Sequence, residues 1–201
     1  MNTILTDKGL PIPGHHLWTR EKYERATALG LLGPDDHVEL IEGEITQKMP
    51  MNSPHATALT LAYDALRLVF PVGIAVRPQL PLSVGGLSQP EPDVAVVTGS
   101  ARDYGNAHPA ADNAVLVVEI SDSTLVPDQT TKAGLYARAG IQEYWIVNLP
   151  ERLLEVHREP APSESALLGF RYQQAAVLSE TNTVAPLAAP TAGIAVADLL
   201  P

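Results

Sequence analysis

Three apolar runs in the middle of the chain predict the strands of a buried sheet. They span residues 93–97, 114–120 and 143–147. Continuous apolar runs of this length are typical of strands that are covered on both faces. A helical pattern, preceded by Asp128 and ended by Gly140, separates the second run from the third. Because a strand–helix–strand order requires a crossover connection, these two strands are predicted to be parallel.

Two further helices and a hairpin are predicted before this unit. Thr19 caps a helix that extends to Leu29, and Asn52 or Ser53 begins a second helix that ends near residue 69. Between them, residues 38–41 and 44–48 form a predicted hairpin that turns at Glu42-Gly43. Shorter strands are expected at 74–76, 79–82 and 153–157, followed by a polar loop at 158–169 and a tail of short strand-like pieces with a final short helix near 196–200.

The order of these elements predicts an α/β fold, a mixed sheet flanked by helices. A chain of 201 residues is long enough for one sizeable core, and no internal repeat is visible. We therefore predict a single domain over residues 18–201. Residues 1–17, which Pro11 and Pro13 interrupt, are predicted to be an irregular arm.

Composition narrows the cellular setting. Cysteine is absent, which excludes disulfides and cysteine zinc sites and fits a reducing compartment. The first residues lack the pattern of a signal peptide, and no apolar run approaches the ~20 residues that span a bilayer. We therefore expect a cytoplasmic protein without a membrane segment.

The charge balance argues against one class of function. The formal net charge is −10 and the pI is about 4.9. Proteins that coat nucleic acid are basic, so this class is disfavoured. An enzyme that acts on nucleic acid stays open, because a bound metal ion or a local basic face can outweigh the overall field.

Two carboxylates at the ends of apolar strands are the main candidates for chemistry. Asp93 follows Pro92 at the start of one strand, and Glu119 follows five apolar residues near the end of the next. A buried carboxylate is costly without a positive partner, and a hard divalent cation such as Mg²⁺ is the usual partner of two converging carboxylates. The ordinary alternatives are a turn-capping role for Asp93 and a salt bridge for Glu119.

Lys132 lies on the predicted helix that follows the Glu119 strand. It is four residues before Tyr136, so the two side chains share a face. Taken alone, Lys132 is most simply a solvated surface lysine. The ordered set of Asp93, Glu119 and Lys132 favours a functional site over chance, although structural ion pairs produce such sets too.

Other residues with side-chain chemistry are less specific. In the hairpin, Glu39 is on the opposite face from Glu42, and Glu44 follows the turn; such charges also protect sheet edges. His55 begins the second helix and is as consistent with capping as with catalysis. The motifs of phosphate loops, dinucleotide-binding turns, zinc proteases and serine hydrolases are absent from the sequence.

Several of these segments occur together in one known family. They are Glu-Leu-Ile-Glu-Gly-Glu at 39–44, His55, Pro92-Asp93-Val-Ala-Val-Val, Val-Val-Glu119-Ile-Ser-Asp-Ser-Thr, and the stretch 132–148, which is the most specific. From about residue 18 to the C-terminus, the chain resembles the Uma-two family of restriction-type endonucleases within the PD-(D/E)xK nuclease superfamily. The resemblance implies a restriction-endonuclease-like fold.

The same resemblance implies roles for individual residues. Asp93 matches the aspartate of the Pro-Asp motif, Glu119 the second acidic residue, and Glu39 an early glutamate. The usual lysine of the superfamily would fall at Ser121, and the family supplies it from the following helix, which maps onto Lys132. Mg²⁺ or Mn²⁺ would be held by Asp93, Glu119 and the Ile120 carbonyl. The chain departs from the family at Asp122, where proline is common.

Three functional hypotheses follow. The first is a metal-dependent endonuclease that hydrolyses DNA, with a homodimer as an expected way to cut both strands. The second is a non-catalytic module of the same fold that acts through protein–protein contacts; the acidic balance favours it, whereas the intact trio favours the enzyme. The third is a small-molecule-binding α/β protein, which needs no metal.

Overall fold

The computed structural model describes residues 16–70 and 72–201, which form two compact units. One unit contains the chain up to Pro50 together with Ser83–Pro90, and the other contains Met51–Leu82 and Glu91–Pro201. The predicted arm 1–17 falls almost entirely outside the described residues. The prediction of a single domain over 18–201 stays a prediction.

The first unit is a helix and a hairpin joined by a returning loop. Helix α1 (Arg20–Ala28) begins after Thr19, whose side chain accepts a hydrogen bond from the Lys22 amide. Strands β1 (Val38–Ile41) and β2 (Glu44–Gln47) pair antiparallel around Glu42-Gly43. Both turn residues have positive φ, 52° and 83°, as a tight two-residue hairpin requires. The predicted hairpin is therefore confirmed.

The second unit is built on a six-stranded mixed sheet with strands in sequential order. The strands are β3 (Ile74–Pro78), β4 (Val94–Thr98), β5 (Ala114–Ser121), β6 (Glu143–Asn148), β7 (Leu153–Pro162) and β8 (Phe170–Ser179). β5 and β6 pair parallel, and every other neighbouring pair in this sheet is antiparallel. The crossover predicted from the apolar runs is thus confirmed.

Alternation along the strands divides their side chains between two covered faces. Helix α2 (Ser53–Val69) packs on one face, where the core includes Ala62, Leu66, Val118 and Trp145. Asn52 caps α2 and accepts a hydrogen bond from the His55 amide. The side chains at odd positions of β5, including Glu119, point to the opposite face. Burial on both faces explains why the central strands are almost continuously apolar.

The crossover between β5 and β6 is a helix in three parts. It consists of α3 (Leu125–Pro127), a π-helical segment (Asp128–Lys132) and α4 (Ala133–Arg138), which packs against β7 and β8. The helix begins earlier than the sequence predicts, so Asp128 lies within it instead of preceding it. Short π-helical turns are rare and are often found at functional sites.

Two predicted boundaries are wrong for local reasons. The strand expected at 79–82 does not form, because Gln79 has a left-handed backbone with φ of 48°. The polar loop expected at 158–169 is shorter, because β7 extends to Pro162 and pairs with β8 throughout. Pairing of β7 with β6 ends at Arg158, so Pro160 and Pro162 lie where the strand has one neighbour and a missing N–H is tolerated.

The C-terminal residues complete the core of the second unit. Strands β9 (Thr183–Val184) and β10 (Ile194–Ala195) pair with each other, and a 3₁₀ turn follows at Val196–Leu199. Buried Glu143 accepts hydrogen bonds from Arg158 Nη2 at 2.6 Å and from the Leu187 amide at 2.7 Å, which attaches this segment to β6 and β7. In the described parts of the chain, every helix is too short or too polar to cross a membrane.

Candidate active site

Asp93 and Glu119 lie side by side on neighbouring strands. Val94 pairs with Val118, so the next antiparallel position places Asp93 opposite Glu119 on the same face of the sheet. The Asp93 amide donates to Glu119 Oε2 at 3.4 Å, and the Ile120 amide donates to Asp93 Oδ2 at 2.8 Å. Both side chains are buried; Asp93 is 8% exposed and Glu119 is 3% exposed.

The other oxygen of Asp93 receives two side-chain contacts. His55 Nε2 is 3.0 Å from Asp93 Oδ1, and Gln79 Nε2 donates to the same oxygen at 3.2 Å. Burial alone would raise the pKa of Asp93, but the hydrogen bond and charge of His55, the Ile120 amide and the charge of Lys132 hold this pKa below its ordinary value. Asp93 is therefore ionised at neutral pH.

Glu119 is paired with the lysine from the crossover helix. Lys132 Nζ is 3.0 Å from Glu119 Oε1, and the Tyr136 hydroxyl donates to the same oxygen at 2.8 Å. The Lys132 side chain is only 17% exposed. It is therefore not a solvated surface lysine, and the predicted common face of Lys132 and Tyr136 is directed at Glu119.

Asp128 is a buried carboxylate that the sequence interpretation did not place near the site. Its Oδ2 accepts hydrogen bonds from Ser121 Oγ at 2.5 Å and Thr124 Oγ1 at 2.7 Å, and its Oδ1 is 3.9 Å from Lys132 Nζ. Burial raises the pKa of Asp128, and the charge of Lys132 and the two hydroxyl groups oppose this rise. In the sequence, Asp128 stands four residues before Lys132, a spacing that places both side chains on one face of a helix. This spacing is the signal that could have placed Asp128 near the site.

Gln129 connects the π-helical segment to β7. Its Nε2 donates to both carboxylate oxygens of Glu155, at 2.8 and 3.0 Å, and Asn148 Nδ2 contacts Glu155 Oε1 at 3.3 Å. Glu155 pairs across the sheet with Ile146, which pairs with Glu119. The segment that ends in Lys132 is thus fixed on one side by Asp128 and on another by Gln129.

Comparison with known proteins shows the family and the fold of the chain. A family model named Uma2 and described as "Putative restriction endonuclease" matches residues 20–197. The chain belongs to the Uma2 family. The search of curated proteins found no match. A solved structure described as "a putative nuclease belonging to DUF820 from Anabaena variabilis" has a TM-score of 0.63 and 20% identity to this chain, and covers 86% of it and 94% of its own length. This likeness shows a shared, nuclease-like fold.

The predicted site residues of this Uma2 protein can now be placed. The structure brings Asp93, Glu119 and Lys132 together, and adds His55 through its contact with Asp93. The Ile120 amide donates to Asp93. Because the N–H and C=O of one residue in a strand point to the same side, the Ile120 carbonyl is also directed towards the side of β5 on which Asp93 lies. Glu39 is buried on β1 in the other unit, and its membership of the site stays a prediction.

The remaining acidic residues have identified surroundings. Asp122 accepts a hydrogen bond from the Asn52 side chain next to the start of α2. Glu42 Oε1 accepts from Ser88 Oγ at 3.0 Å within the first unit, and Glu44 is exposed. Asp122 thus has a local structural partner, and Glu42 is tied to the hairpin loop.

The donor set is compatible with magnesium. Within residues 16–70 and 72–201, no three His, Asp or Glu side chains are clustered as a complete metal cage. Mg²⁺ does not need such a cage, because it keeps several waters and is usually held by one or two carboxylates with substrate phosphates. Two opposed carboxylates of this Uma2 chain, one of them with a lowered pKa, supply hard oxygen ligands of the required kind.

Proposed function

We propose that this Uma2 protein is a metal-dependent endonuclease that hydrolyses phosphodiester bonds of DNA. Asp93, Glu119 and the Ile120 carbonyl would hold Mg²⁺ or Mn²⁺, and Lys132 would act beside them. The observation that supports this proposal is the buried cluster in which Lys132 Nζ lies 3.0 Å from Glu119 while Glu119 faces Asp93 on the adjacent strand. Membership of the family supports the same class of reaction.

Each residue of the cluster has a chemical task in this proposal. When bound, the ion would lower the pKa of a water molecule and offset the charge that develops on the phosphate. Lys132, beside Glu119, orients the attacking water and stabilises negative charge on the phosphate oxygens. Tyr136 holds the Glu119 carboxylate in place, and His55 and Gln79 do the same for Asp93.

The first test is calorimetric titration of Mn²⁺ into the wild type and Asp93→Asn. Asparagine keeps the shape of the side chain but removes its charge, so we expect one saturable site in the wild type and its loss in the variant. Asp64→Asn, at an exposed position of α2, is the matched control and should bind like the wild type. The wild type and Asp64→Asn should nick supercoiled DNA, and Asp93→Asn should not. Nicking should stop when EDTA removes the metal.

The opposite result has a clear meaning. If the wild type binds no Mn²⁺ and cuts neither single-stranded nor duplex DNA with any divalent metal, the endonuclease proposal fails. The non-catalytic module and the small-molecule-binding protein would then be the remaining hypotheses. Full nicking activity in Asp93→Asn would instead show that the reaction uses other residues.

A further inference from the structure

Arg77 lies on the same face of the sheet as the acidic pair. It is in β3, an edge strand, and pairs with Ala95 of β4. Ala95 is two residues after Asp93, and residues two apart along a strand point to the same side. Arg77 is therefore a diagonal neighbour of Asp93, at a Cα separation of about 7–8 Å. The small side chain of Ala95 lies between them.

The Arg77 side chain is largely covered, and its guanidinium group has no counter-charge among the described residues. Arg77 is 9% exposed, and its Nε is enclosed with no hydrogen-bond partner. Across residues 16–70 and 72–201, no side chain or carbonyl forms a hydrogen bond or salt bridge with it. Its Cζ lies 5.3 Å from the centre of the Tyr104 ring, and the hydroxyl of Tyr104 donates a hydrogen bond to the Thr98 carbonyl.

Such an arrangement is costly for the folded protein. A buried charge is normally paired, and an aromatic face replaces only part of the lost hydration. Burial accordingly lowers the pKa of Arg77, which Tyr104 opposes only in part. Nε alone among the guanidinium nitrogens is fully enclosed, so the two terminal nitrogens can still reach a ligand. A planar fork of donors held in this way matches the oxygens of a phosphate group.

We propose that Arg77 binds a backbone phosphate of the DNA, next to the phosphate that is cut. This inference rests on the proposed function. Asp93 and Glu119 face the phosphate that is cut in the proposed function, and Arg77 lies one diagonal step away across the sheet, so it is placed to engage a neighbouring phosphate and set the register of the strand. Stacking on Tyr104 fixes the guanidinium before the substrate arrives, which reduces the entropy that binding would otherwise cost.

The test measures DNA affinity as a function of salt. A fluorescein-labelled duplex of mixed sequence is titrated with each protein by anisotropy, with Ca²⁺ in place of Mg²⁺. We expect Arg77→Gln to bind about tenfold more weakly, the size of effect given by a hydrogen bond to a charged group. The slope of log K against log salt should fall by about 0.9, as expected for one lost phosphate contact.

A matched control is available on the opposite face of the sheet. Arg67 is an exposed arginine of α2 that also stacks on a tyrosine, with Cζ 5.9 Å from the ring of Tyr63. Arg67→Gln removes the same charge from the whole protein and should leave affinity and slope close to the wild type. Arg77→Lys keeps the positive charge but loses the planar pair of guanidinium donors. It should therefore keep the wild-type slope of log K against log salt and bind DNA with an affinity between those of the wild type and Arg77→Gln.

Thermal melting separates a ligand role from a structural one. Arg77→Met removes an unpaired buried charge, so it should melt at or above the wild-type temperature while binding DNA more weakly. A marked fall in melting temperature together with wild-type affinity for Arg77→Lys and Arg77→Gln would show that Arg77 serves the fold, and would overturn the proposal.

The endonuclease and the phosphate contact of Arg77 can be tested apart. If the wild type binds and cuts DNA but the Arg77 variants match Arg67→Gln in affinity and slope, the role of Arg77 is refuted and the endonuclease remains. If the wild type neither binds nor cuts DNA, both proposals are overturned together.

Discussion

At the scale of single residues, the contact between Glu119 and Lys132 has two roles that can be measured separately. Glu119 is buried and Lys132 is largely covered, so the contact neutralises two charges that would be costly to hold there alone. Removing one member of a buried pair leaves the other uncompensated, whereas replacing both with neutral groups of similar size is often tolerated. Stability and catalysis should therefore respond differently to single and double substitutions.

We expect Lys132→Met to lower the free energy of unfolding by about 3 kcal/mol, because Glu119 loses its counter-charge. Turnover should fall about 100-fold or more, because a preorganised donor is lost. Adding Glu119→Gln should restore most of the stability and none of the turnover. Urea denaturation and DNA nicking measure the two quantities. A double variant no more stable than Lys132→Met would contradict the assigned ion pair.

His157 provides a pH-dependent contribution to stability. It lies on β7 between the rings of Tyr144 and Tyr172, with centroid distances of 5.7 and 6.0 Å. Burial lowers the pKa of His157, and the neighbouring Glu155 carboxylate, 3.4 Å from Nε2, offsets this only in part. The folded protein therefore resists protonation of His157 more than the unfolded chain does.

We expect stability to fall as the pH drops below about 6.5, the ordinary pKa of histidine. The unfolded chain binds a proton first in this range, and the loss stops once the pH is below the lowered pKa of the folded state. His157→Phe, which cannot titrate, should remove this component. Denaturation midpoints of the wild type and His157→Phe at a series of pH values measure this component. If the midpoints of both proteins fall equally with pH, His157 is not the cause.

At the scale of elements, helix α2 illustrates how a cap positions a site. The side-chain oxygen of Asn52 accepts a hydrogen bond from the His55 amide, and its side-chain nitrogen donates one to Asp122. Asn52→Ala should lower the free energy of unfolding by about 1 kcal/mol. Asn52→Ser keeps a capping oxygen and should lose less, which a chemical denaturation series would resolve. Equal losses in both variants would mean that the contact with Asp122, not the cap, is the stabilising one.

The sequence predicts the elements whose signals are local. The hairpin follows from Glu42-Gly43, and the parallel pair follows from apolar runs on either side of a helical pattern. The left-handed backbone of Gln79 and the π-helical segment carry no such signal, because they depend on contacts with Asp93 and Glu155 that form only in the folded chain.

The same distinction applies to the candidate site. The sequence order predicts that Asp93, Glu119 and Lys132 converge, and the structure brings them together, while their catalytic roles stay predictions. In the sequence, Arg77 falls between two predicted strands, and Asp128 is predicted only to precede a helix. Their burial and partners become visible only when the strand register and the helix phase are known.

At the scale of the whole molecule, the last residues are part of the core and not an appendage. Five of their side chains join the main apolar cluster, namely Val184, Ile194, Val196, Leu199 and Leu200. Each buried side chain of this kind contributes roughly 1.5–3 kcal/mol, and a domain has only about 5–15 kcal/mol in total. The second unit should therefore not fold without them.

Deletion of residues 183–201 should abolish cooperative unfolding. In a Trp18→Phe background, the emission of Trp145, which is buried in the same cluster, reports the loss, and deletion of exposed Pro201 alone is the control. A cooperative melt with buried tryptophan emission in the shortened chain would show that the six-stranded sheet and its helices suffice without β9 and β10.

The π-helical segment makes the crossover sensitive to its length. Its first two residues, Asp128 and Gln129, contact Ser121 and Glu155, and its last residue, Lys132, contacts Glu119. A helix turns by about 100° per residue, so one residue more or fewer between Asp128 and Lys132 would rotate one set of contacts away from its partners. During divergence, this stretch can change its residues more easily than their number. We therefore expect related chains to keep the spacing ungapped, and frequent gaps in an alignment would contradict this.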